Sequence, residues 1–293
     1  MTVLSADQPV WSKSRVSTFK ECQRKFLFSG PTINSFKISE ETKTEVLRLK
    51  KIKNRFLWTG SFIHEAIGHL LKQVRQGEKV FDIEEILSKF KISMREQFVN
   101  SKSQTLSASR LFEHEFQIQI AQEEWKRQWD NVEKTIRWFF QSSWFLKLKD
   151  LGPESWKVID EVVRFELNGT QAYAKIDCAV EVKGNFFLID WKTSSSMESS
   201  ALKVAALYSF EQWGADPSNV QAHAVNLFTG KSERIDIDED ALMETQMKIE
   251  EEAAQLFEAQ TQLGDDPLKL PMASSQACLQ CSYQKICHPN GIL

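Results

Sequence analysis

Apolar positions recur at helical intervals in the first third of the chain. "STFKECQRKFLF" reads as one short helix, with Thr18 and Glu21 spaced as a capping box. "GSFIHEAIGHLLKQVRQG" places Ile63, Ile67, Leu70, Leu71 and Val74 on one face and stops at Gly77, which predicts an amphipathic helix with a natural end. From about 82 to 148 the chain reads as helical, polar and rich in aromatics, and Trp125, Trp129, Ile136 and Phe140 recur with the helical period. That period favours a core stripe over a base-stacking platform for the tryptophans.

At residue 156 the pattern changes to alternation. "WKVIDEVVRFEL", "QAYAKIDCAVEV" and "NFFLIDWKT" read as three strands, with Gly184-Asn185 as the turn between the last two. A helix from about 198 to 213 leads to a further strand, "VQAHAVNLF", and such a crossover puts a parallel pair in the sheet. "SERIDI" follows, then a long acidic helix over about 239 to 262 and a cysteine-rich tail.

Composition adds little. The 293 residues are 42% hydrophobic and 26% charged with a net charge of −3, an ordinary globular balance that neither demands nor excludes a polyanionic partner. The opening "MTVLSADQPVWSKSR" lacks an apolar leader and no apolar run is of membrane-spanning length, so the expectation is a cytoplasmic protein with no membrane partner.

The chemistry concentrates at "FFLIDWKT". Charges at the end of so apolar a strand need an explanation, because unpaired buried charge is costly. If Gly184-Asn185 is a two-residue loop, Lys183 pairs with Phe186, Asp177 lies opposite Lys192, and Asp190 lies opposite Ala179. Asp177, Asp190 and Lys192 then share one face of the sheet. Adjacent carboxylates repel unless they share a cation or a proton, and oxygen ligands suit magnesium or manganese. Lys192 could orient a water or stabilise charge growing on a phosphate. Glu161, in the preceding strand, is a candidate further ligand.

Other motifs narrow the field. In "HEAIGH" the histidines are five residues apart, about 140° round a helix, so a zinc-protease motif is excluded. His64 alone is a ligand only if it converges with the aspartates. "TGKS" lacks the earlier glycine of a phosphate loop. Three of the five cysteines, Cys278, Cys281 and Cys287, cluster in "CLQCSYQKIC", which favours metal ligation. Cys22 is the preferred fourth ligand over Cys178, which should pack as a small hydrophobe behind Asp177. Zinc or an iron-sulfur cluster could satisfy four thiolates. Lys50, Lys51, Lys53 and Arg55 are candidate contacts to backbone phosphates, or equally a solvated helix face.

Together these parts resemble the PD-(D/E)XK nuclease superfamily, specifically its RecB-like branch with the CRISPR-associated exonucleases. "SRVSTFKECQRKF" is similar to that family's early helix, "GSFIHEAI" to its glycine-histidine helix, and "AKID" and "IDWKT" to its acid and lysine strands. The resemblance implies His64, Asp177 and Asp190 as metal ligands, Lys192 as the catalytic lysine and Glu161 as another active-site acid. It implies a 4Fe-4S cluster on Cys22, Cys278, Cys281 and Cys287, in preference to zinc, clasping the two ends of the chain. Val204 stands where the family often has glutamine, and Ala174 where it often has glycine.

The expected fold is α/β, a restriction-endonuclease-like core of helix, three-stranded meander, helix and strand, with a large helical insertion and a cysteine-ligated C-terminal clasp. The expected divisions of one integrated domain are 1–81, 82–155 for the insertion, 156–237 for the nuclease core and 238–293 for the tail. The implied function is a Mg2+- or Mn2+-dependent DNA nuclease, an exonuclease on single strands or ends, in repair, recombination or phage defence with or without a protein complex. The alternative is a DNA-binding or assembly subunit that keeps the fold and the cluster.

Overall fold

The computed structural model describes residues 9–78, 81–103, 110–194, 196–262 and 266–288; residues 1–8 of the predicted polar lead lie outside them. Strand β1 (Val10–Ser12) runs into α1 (Lys13–Glu21) and α2 (Gln23–Ser29). Then come α3 (Glu40–Leu49), α4 (Arg55–Arg75), α5 (Ile83–Lys102), α6 (Phe112–Glu115), α7 (Gln122–Gln141) and α8 (Ser143–Leu148). Strands β2 (Trp156–Leu167), β3 (Thr170–Val182) and β4 (Asn185–Lys192) follow, then α9 (Ser200–Trp213), β5 (Val220–Asn226) and β6 (Ser232–Ile235). The chain closes with α10 (Glu239–Gln262), α11 (Ser275–Leu279) and α12 (Gln284–Cys287). It is an α/β chain with one mixed sheet, consistent with a restriction-endonuclease-like fold.

Two compact units are formed, and β2 and β3 contribute residues to both. One contains the described residues of Met1–Ile52, Arg164–Tyr173 and Gln246–Leu293, the other Lys53–Val163 and Ala174–Thr245. In the first, β1 pairs in parallel with Gln171–Tyr173 of β3, and Trp11 Nε1 donates to Glu252 Oε2 at 3.0 Å. The predicted single early helix is two helices. Cys22, with extended backbone, ends α1 and caps α2, its Sγ accepting from Lys25 N at 3.5 Å. Nor does Thr18 cap the helix: Ser12 Oγ does so, accepting from Arg15 N, while Thr18 Oγ1 donates to Ser14 O within α1.

In the second unit β4 pairs antiparallel with β3 and parallel with β5, as the crossover predicts, and β5 pairs antiparallel with β6. "TGKS" lies in the β5–β6 turn and the start of β6. The β3–β4 turn differs from expectation. Its two residues are Lys183 and Gly184, both with positive φ (52° and 77°), and Val182 pairs with Asn185. A two-residue turn with both residues left-handed matches strand twist, and here the first position is filled by lysine in place of the usual asparagine or aspartate. The register moves by two residues relative to the predicted one, so Asp177 falls opposite Asp190, one step beyond the Cys178–Ile189 pair. Even shifts keep side chains on their face, so the shared face survives.

The predicted stripe of α4, Ile63, Ile67, Leu70, Leu71 and Val74, is wholly buried. The insertion supplies its partners: Val132, Ile136 and Phe139 of α7 and Phe145 of α8 join one hydrophobic cluster with α4 and with Cys178, Ile189 and Trp191 of the sheet. Phe139 packs edge-on to Trp191 at 5.1 Å between centroids, and Trp144 does so at 6.4 Å. Helices α7 and α8 thus grip the strand that carries Asp190 and Lys192. Phe139→Ala removes a fully buried ring at this junction and is expected to cost about 3–5 kcal/mol in urea unfolding; a loss below about 1 kcal/mol would mean the insertion does not brace β4.

Candidate active site

Three side chains meet on the sheet face opposite Trp191. Asp177 Oδ1 lies 3.2 Å from His64 Nδ1, and Asp177 Oδ2 accepts the Trp191 backbone N–H at 2.9 Å. Asp190 is ion-paired through Oδ2 with Lys192 Nζ, yet that buried oxygen accepts no hydrogen bond of good geometry. Asp177, Asp190 and Lys192 are 7%, 19% and 16% exposed. The strand end is pinned by Asn226, opposite Lys192 in β5, whose Nδ2 donates to Ser194 O at 2.8 Å. Leu227 N also donates to Lys192 O at 2.9 Å.

Helix α4 is fitted to these acids by a stripe at four-residue spacing. Gly60 faces Thr193, where an added Cβ would stand 3.1 Å from Oγ1. His64 meets Asp177. Gly68 faces Asp160, where an added Cβ would come within 2.8 Å of the Asp160 Cβ. Asp160 has φ of 52°, and the burial alternation of β2 slips by one residue there, with Val158 and Ile159 both buried; this is the mark of a β-bulge that re-aims a side chain. The sequence names Glu161, the next residue of the strand, as a candidate further acid. The bulge instead turns Asp160 toward α4, where its charge acts on His64 and its carboxylate pairs with Lys175. Glu161 is exposed, and its charge acts on Tyr208 of α9.

The electrostatics follow from burial and repulsion. Burial, then the neighbouring Asp177 charge, pushes Asp190 up to about 6 against the pull of Lys192. Burial also pushes Asp177 upward, but the hydrogen bond and charge of His64 and the Trp191 N–H outweigh it and hold that carboxyl low. Burial lowers His64, and its hydrogen bond and attraction to Asp177, with the charges of Asp190 and Asp160, more than reverse this. Among the described residues no group of three or more His, Cys, Asp or Glu stands at ready-made metal-holding geometry. The donor chemistry nevertheless fits a hard divalent cation: two opposed, largely buried carboxylates that repel unless a cation or a proton lies between them.

The other predicted residues are placed as follows. Cys22, Cys278, Cys281 and Cys287 line one small cavity of about 10 Å³. Burial raises the thiols of Cys278 and Cys287, and Cys281 to about 11. Cys178 is fully buried in the apolar cluster. His69 is exposed. The basic run is not a helix face. Lys50 and Lys51 follow α3, with Lys50 Nζ donating to Gly30 O at 3.5 Å, and Lys53 Nζ reaches Ser61 Oγ at 3.4 Å. Arg55 opens α4 and pairs with the buried Glu113 at 3.2 Å. Asp160, Gly68 and Asn226 were missed by sequence reasoning; the Gly60-His64-Gly68 spacing and the adjacent apolar Val158 and Ile159 before Asp160 were the available signals.

A carboxyl raised to about 6 is protonated more readily in the folded than in the unfolded chain. Its contribution to stability is therefore complete below the ordinary carboxylate range and lost as pH rises through about 6. In chelator-treated protein Asp190→Asn is expected to gain on the order of 1–3 kcal/mol at pH near 8, with the gain vanishing below about pH 4. Urea unfolding at the two pH values checks this, and an Asn variant less stable at the higher pH would contradict it.

Two solved structures are similar in part. The "Putative exonuclease" from Eubacterium rectale aligns over 100% of this chain and 95% of its own at 14% identity and TM-score 0.48. SSO0001 aligns over 76% of this chain and 96% of its own at 11% identity and TM-score 0.27. No curated protein matches. The family model for the PD-(D/E)XK nuclease superfamily matches residues 10–288, nearly the whole described chain, and takes in every residue of the site above. This protein belongs to the PD-(D/E)XK nuclease superfamily.

Proposed function

We propose that the protein is a divalent-cation-dependent deoxyribonuclease, an exonuclease acting on single strands or DNA ends. The observation that carries this reading is the opposed Asp177–Asp190 pair with Lys192 beside it, in a chain of a nuclease superfamily. Asp177, Asp190 and His64 would hold Mg2+ or Mn2+, with Asp160 as the further acid nearest to them. The cation, when bound, supplies positive charge to the phosphoryl oxygens.

The chain's own groups perform the rest. Trp191 N–H and His64 fix the Asp177 carboxylate from two sides, so its oxygens do not reorganise as charge develops. Lys192 shares Asp190 and can turn its ammonium toward the phosphate or the attacking water. The attacking water gives up a proton as its oxygen bonds to phosphorus, the bond to a sugar oxygen breaks, and that sugar oxygen takes up a proton to leave as a hydroxyl. Asp190→Ala and Lys192→Ala are each expected to lower cleavage of end-labelled DNA by about 10²–10³-fold or more. Cleavage persisting in both would sink the site assignment.

The four cysteines are proposed to hold a 4Fe-4S cluster. Their convergence on one cavity supports a four-thiolate centre, and the positive charge of a bound centre would bring down thiols that burial holds protonated. The small cavity favours a second candidate, a single zinc ion, because about 10 Å³ is roughly one water's space. Metal analysis of protein purified without oxygen is expected to give about four irons per chain and a broad visible absorption, both lost in Cys22→Ser. Colourless protein with stoichiometric zinc would overturn the cluster and leave the zinc centre. Val204, buried in α9, favours one alternative function, a DNA-binding subunit without turnover, which binding without cleavage at any divalent cation would establish.

A further inference from the structure

A groove of the second unit, lined by none of the acid-cluster residues, lies between α5 and α7 with a volume of about 1160 Å³. It exceeds the ~300–1,000 Å³ usual for small-molecule sites. Helix α5 lines it with Lys91, Arg95, Phe98 and Lys102, at the spacing of one helical face, and α7 with Trp125, Lys126 and Trp129. The two tryptophans pack against the hydrophobic cluster, as their period suggested, but are half-buried, so part of each ring stays exposed. Phe98 and His114 pack on Trp125 at 5.0 and 5.3 Å, which fixes the ring, and the Lys91 ammonium stands 5.3 Å from the Trp129 ring centre.

The charge of the groove is one-sided once internal pairs are removed. Arg110 is neutralised by the buried Glu115 and Glu113 by Arg55, while Glu133 shares Arg137 with Glu84. Lys91, Arg95, Lys102 and Lys126 make no ion pair among the described residues, and the acids facing them are Asp130 and the half-balanced Glu133, which leaves the cations in excess. Fixed aromatic rings flanked by free cations are what a single polynucleotide strand requires: faces for bases and charge for phosphates. A duplex would keep its bases from those rings. Trp58, which also lines the groove, stands six residues before His64 on α4, about 9 Å along the helix axis.

We propose that this groove binds single-stranded DNA and feeds it to the acid cluster. The proposal rests on the nuclease reading, and two measurements separate the failure of one from the failure of the other. The first is fluorescence anisotropy of labelled single-stranded and duplex DNA with chelator-treated protein, which needs no catalysis. The single strand should bind at least tenfold more tightly than duplex. Lys91→Ala with Lys126→Ala should weaken it and reduce the log–log salt slope by about 1.4, whereas Trp129→Leu should weaken it about 5- to 100-fold with the slope unchanged.

The second measurement is cleavage with Mn2+, comparing a long strand with an oligonucleotide of about four nucleotides, too short to fill the groove and reach the site. Groove variants should lose cleavage of the long strand and keep that of the short one. Variants that bind the long strand as the wild type does, or that lose both cleavages in proportion, would overturn the proposal. Strand binding that depends on the groove in a protein that cleaves nothing would support the groove and defeat the nuclease reading.

Discussion

The second unit is organised around a repulsion. Asp177 and Asp190 sit opposite one another on paired strands, largely buried, and the proton affinity of Asp190 rises because it is buried and because its neighbour is charged. A fold without a use for that pair would relieve it with an apolar substitution. Here the surroundings do the opposite and hold the pair in place. The Trp191 N–H and His64 fix Asp177, Lys192 balances Asp190, and Asn226 ties down the strand end that follows.

The same constraint accounts for the shape of α4 and for the insertion. A helix carrying His64 reaches Asp177 only if its backbone comes close to the sheet, and Gly60 and Gly68, one turn before and one turn after, permit that approach. On the reverse side of β4, Trp191 is the anchor between the two charged residues. Phe139 and Trp144 hold it, so helices far away in sequence set the position of Asp190 and Lys192. The insertion is part of the support of the site.

What the sequence made legible was what depends on period. The α4 face, strands β2 to β5, the parallel β4–β5 pair and the full extent of α10 follow from alternation or helical spacing, and the observed elements agree. What period cannot carry was misread. Lys183 adopts a left-handed conformation that its residue type does not advertise, so the turn was placed one residue too late. Asp160 is turned toward α4 where the alternation of β2 slips, a local feature that strand period does not reveal. Cys22 breaks one apparent helix into two through extended backbone in a stretch with no glycine or proline. The common face of Asp177, Asp190 and Lys192 survived these errors because a register shift of two preserves it.

The central claim is that the Asp177–Asp190 pair holds a divalent cation. Manganese binding, followed by electron paramagnetic resonance near neutral pH in wild type and Asp190→Asn, tests it without reference to turnover. The account predicts a tight site in the wild type that the substitution removes. Manganese binding of equal tightness in both proteins would contradict it.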